Sequence, residues 1–159
     1  MKIIALADTH SQPLPKALLE ELKHVDLILH AGDFCEMGVY DQLKGFKDIR
    51  AVYGNMDGMD LRDKLPRQFV MECEGVRIGV AHGEGAAEGV VSRLQVVFKG
   101  QNVDMVVFGH SHQPYHEMID GVLYFNPGSP TDTVRPPYRS YGLIEVKSGK
   151  IRAHIVKLK

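Results

Sequence analysis

The chain has no tryptophan, only two cysteines and almost no net charge, and each shortage removes a class of protein. Cys35 and Cys73 form neither a CxxC pair nor a disulfide framework, which excludes a cysteine-rich structural zinc site and suits a reducing compartment with free thiols. With 19 basic against 20 acidic residues, there is no charge excess to follow a nucleic-acid backbone or an anionic membrane. Any phosphate the protein meets is therefore held by a site and not by a field. The first apolar run, Ile3 to Ala7, is too short for a signal peptide, and no later run approaches a bilayer span. A cytoplasmic location follows as an expectation. Pro/Gly/Ser-rich linkers and internal repeats are lacking too, so residues 1–159 read as a single domain.

What the chain does have is a series of short apolar runs, each ending in polar residues beside a glycine. Lys2 to Ala7 ends in Asp8-Thr9-His10, Val25 to His30 in Ala31-Gly32-Asp33, and Ile49 to Tyr53 in Gly54-Asn55-Met56-Asp57-Gly58. Pro13 to Lys23 and Gly38 to Gly45 lie between them, with Leu14, Ala17, Leu18 and Leu22 at helical spacing, which predicts a βαβαβ start with parallel strands. The second half changes style. Arg67 to Cys73 and Val76 to His82 predict a hairpin about Glu74-Gly75, followed by a helix over Glu88 to Lys99 that stops at Gly100. Val106-Val107-Phe108 then reads as a buried strand delivering Gly109-His110-Ser111-His112. Pro114 to Ile119 and Val122 to Phe125 turn at Asp120-Gly121, and Tyr141 to Val146 and Lys150 to Val156 turn at Ser148-Gly149. A parallel first half and a hairpin-rich second half suggest two sheets packed face to face with helices outside.

Seven residues at strand ends could then converge on one edge: Asp8, His10, Asp33, Asn55, His82, His110 and His112. Each has an ordinary reading alone, as a helix cap, a turn residue or a structural histidine. Their joint occurrence at successive strand ends points to metal. Carboxylate, imidazole and amide oxygen without thiolate suit manganese, iron, zinc, cobalt or nickel. Seven ligands exceed one tetrahedral ion but serve two that share a carboxylate, the arrangement that clamps the attacking and leaving oxygens of a phosphoryl displacement. His30 reads as a core histidine or an orienting neighbour, Asp57 as an additional acid, and Cys35 as a bystander. The segments Met56 to Pro66 and Pro130 to Arg139 read as loops that wall the pocket.

Taken in order, Asp8-Thr9-His10, Gly32-Asp33, Gly54-Asn55, His82-Gly83 and Gly109-His110-Ser111-His112 resemble the motifs of the calcineurin-like metallophosphoesterases, in their small single-domain bacterial and archaeal phosphodiesterase branch. Asn126-Pro127-Gly128-Ser129 is similar to that branch as well. The resemblance implies a four-layer αββα sandwich of two mixed sheets with flanking helices. It implies one ion on Asp8, His10, Asp33 and His112 and a second on Asp33, Asn55, His82 and His110, with Asp33 bridging. Manganese or nickel is expected, with iron, zinc and cobalt as further candidates. The implied reaction is hydrolysis of small phosphodiesters by a metal-bridging hydroxide, with Asn55 and His110 near the phosphoryl oxygens. Met56 stands where the wider family usually has a histidine, which removes that source of a leaving-group proton. Phe34-Cys35-Glu36-Met37 has no arginine to neutralise a monoester dianion, so diesters are expected over monoesters, with Arg135 and Arg139 as the nearby exceptions. The competing readings are a protein-interaction scaffold of the same fold, a phosphomonoesterase, and a nuclease. Neither extended nucleic acid nor a membrane is an expected partner, and a homo-oligomer is left open.

Overall fold

The computed structural model describes residues 1–159 and layers two five-stranded sheets between helices. The first sheet has the order β10-β9-β1-β2-β3, formed by β1 (Lys2–Leu6), β2 (Leu27–His30), β3 (Ile49–Ala51), β9 (Ser140–Lys147) and β10 (Lys150–Lys157). The second has the order β4-β5-β6-β8-β7, formed by β4 (Gln68–Cys73), β5 (Val76–Ala81), β6 (Met105–Val107), β7 (Tyr115–Ile119) and β8 (Val122–Asn126). β1, β2 and β3 pair in parallel, as do β5, β6 and β8, while the outer hairpin strands run antiparallel. Both sheets are therefore mixed.

Side-chain alternation along the strands separates the layers. On β1, Ile3 and Ala5 enter an apolar core shared with Ile78, Val80, Val107 and Phe125 of the facing sheet. Ile4 and Leu6 point the other way, toward Leu18 and Leu22 of α1 (Lys16–Leu22), Leu43 of α2 (Met37–Lys44) and Leu61 of α3 (Met59–Lys64). The outer face of the second sheet is covered by α4 (Val90–Val97), where Val90 and Leu94 pack with Val106, Phe108 and Tyr124. This is the expected four-layer αββα sandwich. All three two-residue hairpin turns have positive φ at both positions: Glu74-Gly75, Asp120-Gly121 and Ser148-Gly149.

One element corrects the sequence reading. Met56 to Pro66 is not wholly a loop, because Met59–Lys64 folds as α3 and buries Leu61 against the first sheet. The parallel directions of β1, β2 and β3, and of β5 and β6, bring five strand carboxyl ends to one edge of the sandwich. Asp8, Asp33, Asn55, His82 and His110 all follow those ends.

Candidate metal centre

The turns that carry these residues are tight and strained. Asp8 (φ 55°), His10 (46°), Asp33 (61°), His110 (71°) and His112 (60°) all occupy left-handed backbone space, which costs about 1–3 kcal/mol each for a residue with a Cβ and accumulates at functional sites. Gly54 is needed for closeness: a Cβ there would overlap the Asp33 carboxylate. The bend Asn126 to Ser129 ties the turns together. Asn126 Nδ2 donates to Gly109 O (2.9 Å) and Ser129 Oγ donates to Asp8 O (2.8 Å).

Six of the seven residues meet in two halves. His10 Nε2 lies 3.1 Å from His112 Nε2. Asn55 Oδ1 lies 3.1 Å from both His82 Nε2 and His110 Nδ1. Asp33 Oδ2 stands between the halves, 3.6 Å from His10 Nε2 and 3.3 Å from His82 Nε2. The seventh residue, Asp8, stands there too, its Oδ1 at 4.0 Å from His10 Nε2, 4.0 Å from His82 Nε2 and 3.7 Å from His112 Nε2. Asp8 is common to both metal-type triads, Asp8-His10-His112 and Asp8-Asp33-His82. Two carboxylates, not one, thus face both halves.

The hydrogen bonds fix which ring nitrogens are free. Carbonyl and carboxylate oxygens only accept, so His82 Nδ1 donates to Ala31 O (2.7 Å), His110 Nε2 to Gly85 O (2.6 Å) and His112 Nδ1 to Asp132 Oδ2 (2.6 Å). The other nitrogen of each ring is an acceptor turned toward Asn55 Oδ1, Asp33 Oδ2 or Asp8 Oδ1. Acceptor faces acceptor, and Asp8 Oδ2 is buried with no hydrogen-bond partner at all. Such a donor set fits divalent cations, and outward-donating rings are the usual support of metal-binding histidines.

Protons relieve part of this crowding of acceptors, as the raised Asp8 and His82 show. Burial pushes the Asp8 carboxyl up to about 7, with the Asp33 charge adding to the rise and His82 opposing it. For His82, burial works downward, but the Asp33 hydrogen bond and the Asp8 and Asp33 charges outweigh it and raise the ring's pKa. Burial lowers His10 and His112, keeping both neutral and able to bind metal.

Two neighbours behave differently from expectation, Asp57 and Cys35, and a third, His30, combines the two roles expected of it. Asp57 is no proton donor in waiting. Its Oδ2 accepts the N–H groups of Asp33 (3.0 Å) and Gly54 (2.7 Å), and its Oδ1 that of Cys35 (2.7 Å). Cys35 is more than a bystander, since Sγ lies 3.2 Å from His10 Nδ1, and burial together with nearby carboxylates raises the thiol to about 11. His30 is a buried core histidine that also acts on the site: Nδ1 accepts Gly32 N–H (3.1 Å), while burial holds its pKa well below the usual range. One residue escaped the sequence reading as a site member, Asp132 behind His112, and of the two arginines that reading offered from the same loop only Arg135 reaches the site. Arg135 Nη1 lies 3.3 Å from His112 Nε2, whereas Arg139 is engaged elsewhere, on Lys159 O. For Asp132 only its placement in the Pro130 to Arg139 loop was legible. A cavity of about 540 Å³ opens over His10, Asn55, His110 and His112, with exposed Met56 on one side and Thr131 to Arg135 on the other.

The chain belongs to the calcineurin-like phosphoesterase superfamily, whose domain model matches residues 1–149. It is similar to a probable metallophosphoesterase of Methanocaldococcus jannaschii, 35% identical over 163 residues and covering 99% of this chain and 82% of that protein. A phosphodiesterase of the same organism is 29% identical over 143 residues, covering 80% and 83% of the two chains. Among solved structures, Vps29 from Entamoeba histolytica shares the fold with a TM-score of 0.78 across 100% of both chains, at 22% identity. Family and site together define a phosphoester hydrolase with side chains suited to divalent metal.

Proposed function

We propose that the chain is a metal-dependent phosphodiesterase acting on small phosphodiesters, with residues 1–159 working as one cytoplasmic domain. The observation that carries this reading is the convergence of free imidazole nitrogens, amide oxygen and carboxylates, acceptor against acceptor, with their donors turned outward. One ion would be held by Asp8, His10, Asp33 and His112, the other by Asp33, Asn55, His82 and His110. The nitrogen and oxygen donors suit manganese, nickel, iron, zinc and cobalt alike, and the expectation of manganese or nickel rests on the family resemblance. When bound, such a pair supplies Lewis-acid stabilisation of phosphoryl oxygens and water acidic enough to react near neutral pH.

The chain's own residues supply position. Asp33 is suited to be shared because Met56 N–H fixes its Oδ1 (2.8 Å), leaving Oδ2 between the two halves. Ala31, Gly85 and Asp132 hold three rings in the orientation that binding needs. Asn55 and His110 line the cavity where phosphoryl oxygens approach. Met56 has no proton to give a leaving alcohol, and Asp57 is committed to backbone N–H groups, so substrates with acidic leaving groups fit best. Support for diesters comes from the arginine-free Phe34 to Met37 segment and from the relative named a phosphodiesterase.

The test is hydrolysis of bis(4-nitrophenyl) phosphate and 4-nitrophenyl phosphate by protein loaded with each of the five metals. A higher kcat/KM for the diester is expected. Ion uptake without hydrolysis of either ester would overturn the enzyme reading and favour a scaffold of this fold.

A further inference from the structure

We propose that Arg135 grips the non-esterified oxygens of the substrate's phosphoryl group and thereby sets how far monoester dianions are accepted beside diesters. The inference rests on the phosphoesterase reading above and adds a residue that this reading does not use.

The backbone of Arg135 is pinned to the site from both sides. Its N–H donates to Asp132 Oδ1 (3.3 Å), and its carbonyl accepts from Gln113 Nε2 (2.8 Å). The other oxygen of Asp132 takes the His112 Nδ1 proton, and Asp132 N–H is itself held by Ser129 Oγ (2.9 Å). A single carboxylate therefore sets both the tilt of a metal-type imidazole and the place of the guanidinium. Arg135 is not a residue that happens to lie on a nearby loop.

The guanidinium itself is almost unspent. Arginine has five donors and no acceptor, and here its one partner is the Nε2 of His112. No carboxylate stands within ion-pairing distance of it. The other arginines around the site differ. Arg62 donates to Asn55 O and Asp57 O, Arg93 to the carbonyls of Glu84, Ala86 and Glu88, and Arg67 pairs with Glu84. Those three are spent on backbone carbonyls or on the Glu84 carboxylate, while Arg135 faces the cavity that contains Asn55 and His110.

The one acceptor Arg135 has is an atom that an ion on His112 would claim. Once His112 Nε2 is so committed, the donors of Arg135 are left to whatever fills the cavity, and their forked geometry matches two oxygens of a phosphoryl group. A monoester dianion offers three non-esterified oxygens and two charges, whereas a diester offers two oxygens and one charge. Arg135 therefore favours both, and the dianion more. It partly offsets the diester preference that follows from the arginine-free Phe34 to Met37 segment, so its removal makes the protein more selective for diesters.

The experiment is calorimetric titration of the metal-loaded protein with inorganic phosphate and with dimethyl phosphate, for wild type, Arg135→Gln and Arg135→Lys, alongside metal content and the two nitrophenyl esters. Arg135→Gln should lose roughly 10- to 100-fold in phosphate affinity, the range of a hydrogen bond to a charged group, and less for dimethyl phosphate. Its diester-to-monoester ratio of kcat/KM should rise, its ion content should stay at the wild-type value, and Arg135→Lys should fall between. Unchanged phosphate affinity in Arg135→Gln would overturn the inference. So would equal losses for the two anions, or a loss of bound ions, which would make Arg135 a structural support. Failure of the wild type to bind ions or hydrolyse either ester would instead remove the phosphoesterase reading, and this inference with it.

Discussion

Asp57 Oδ2 accepts the backbone N–H of Asp33 at 3.0 Å, so an acid adjacent to Met56 in sequence serves the turn that carries a metal-type carboxylate. The same side chain also satisfies Gly54 and Cys35, and it is buried. Asp57→Ala would strip three N–H groups of their acceptor, two of them buried and that of Cys35 partly so.

Each such orphaned group costs about 1–3 kcal/mol, which places the Asp57→Ala loss at roughly 3 kcal/mol or more. At about 2–4 °C per kcal/mol for a chain of this size, Tm should fall by roughly 6 °C or more, and ion content should fall with it as the Asp33 turn loosens. A differential scan of the variant checks this. A Tm within a degree or two of wild type would show that the carboxylate is not the anchor of that turn.

Asp8 makes the metal-free protein sensitive to pH. Burial raises its carboxyl from 3.8 to about 7, so between those values the folded chain keeps a proton that the unfolded chain has lost. The folded state then binds more protons than the unfolded state, and stability falls as pH rises through that window, with the loss complete above about 7. Asp8→Asn removes the ionisation. The metal-free variant should melt above metal-free wild type at pH 8 and close to it at pH 4; a wild type more stable than the variant at pH 8 would contradict the assignment.

Met56 is exposed at the cavity mouth and carries a thioether where a proton donor would help a basic alcohol depart. A placed general acid is worth about 10²- to 10⁴-fold, most for poor leaving groups. Rates of the native protein should fall steeply with leaving-group pKa across a series of aryl and alkyl phosphodiesters. Met56→His should flatten that slope while leaving nitrophenyl esters nearly unchanged. Equal slopes for the two proteins, with equal ion content, would show that position 56 is not the missing acid.

Much of this was legible in the sequence because the site is built from strand ends. An unbroken apolar run such as Val106-Val107-Phe108 can only be buried, and the glycine after it marks where the chain turns and offers His110. The hairpins were legible from their glycine turns. α3 was not, because Met59–Lys64 is short and polar and buries only Leu61, which leaves no periodicity to read. Asp132 as a site member, and the choice of Arg135 over Arg139, were not legible for a different reason. Asp132 and Arg135 act on His112, some twenty residues away, through an aperiodic loop, and only the folded chain brings them there. Asp57 misled in the opposite sense: its residue type suggested chemistry, and its hydrogen bonds spend it on backbone. The left-handed φ of Asp8, His10, Asp33, His110 and His112 was not read from the sequence either.

The central claim is that two ions share Asp33, and counting ions tests it most directly. Elemental analysis of purified wild type, Asp33→Ala and Asp8→Ala should give two ions per chain for wild type, close to none for Asp33→Ala and about one for Asp8→Ala. Two ions per chain in Asp33→Ala would contradict the claim, and retention there with complete loss in Asp8→Ala would make Asp8, the carboxylate common to both triads, the shared ligand instead.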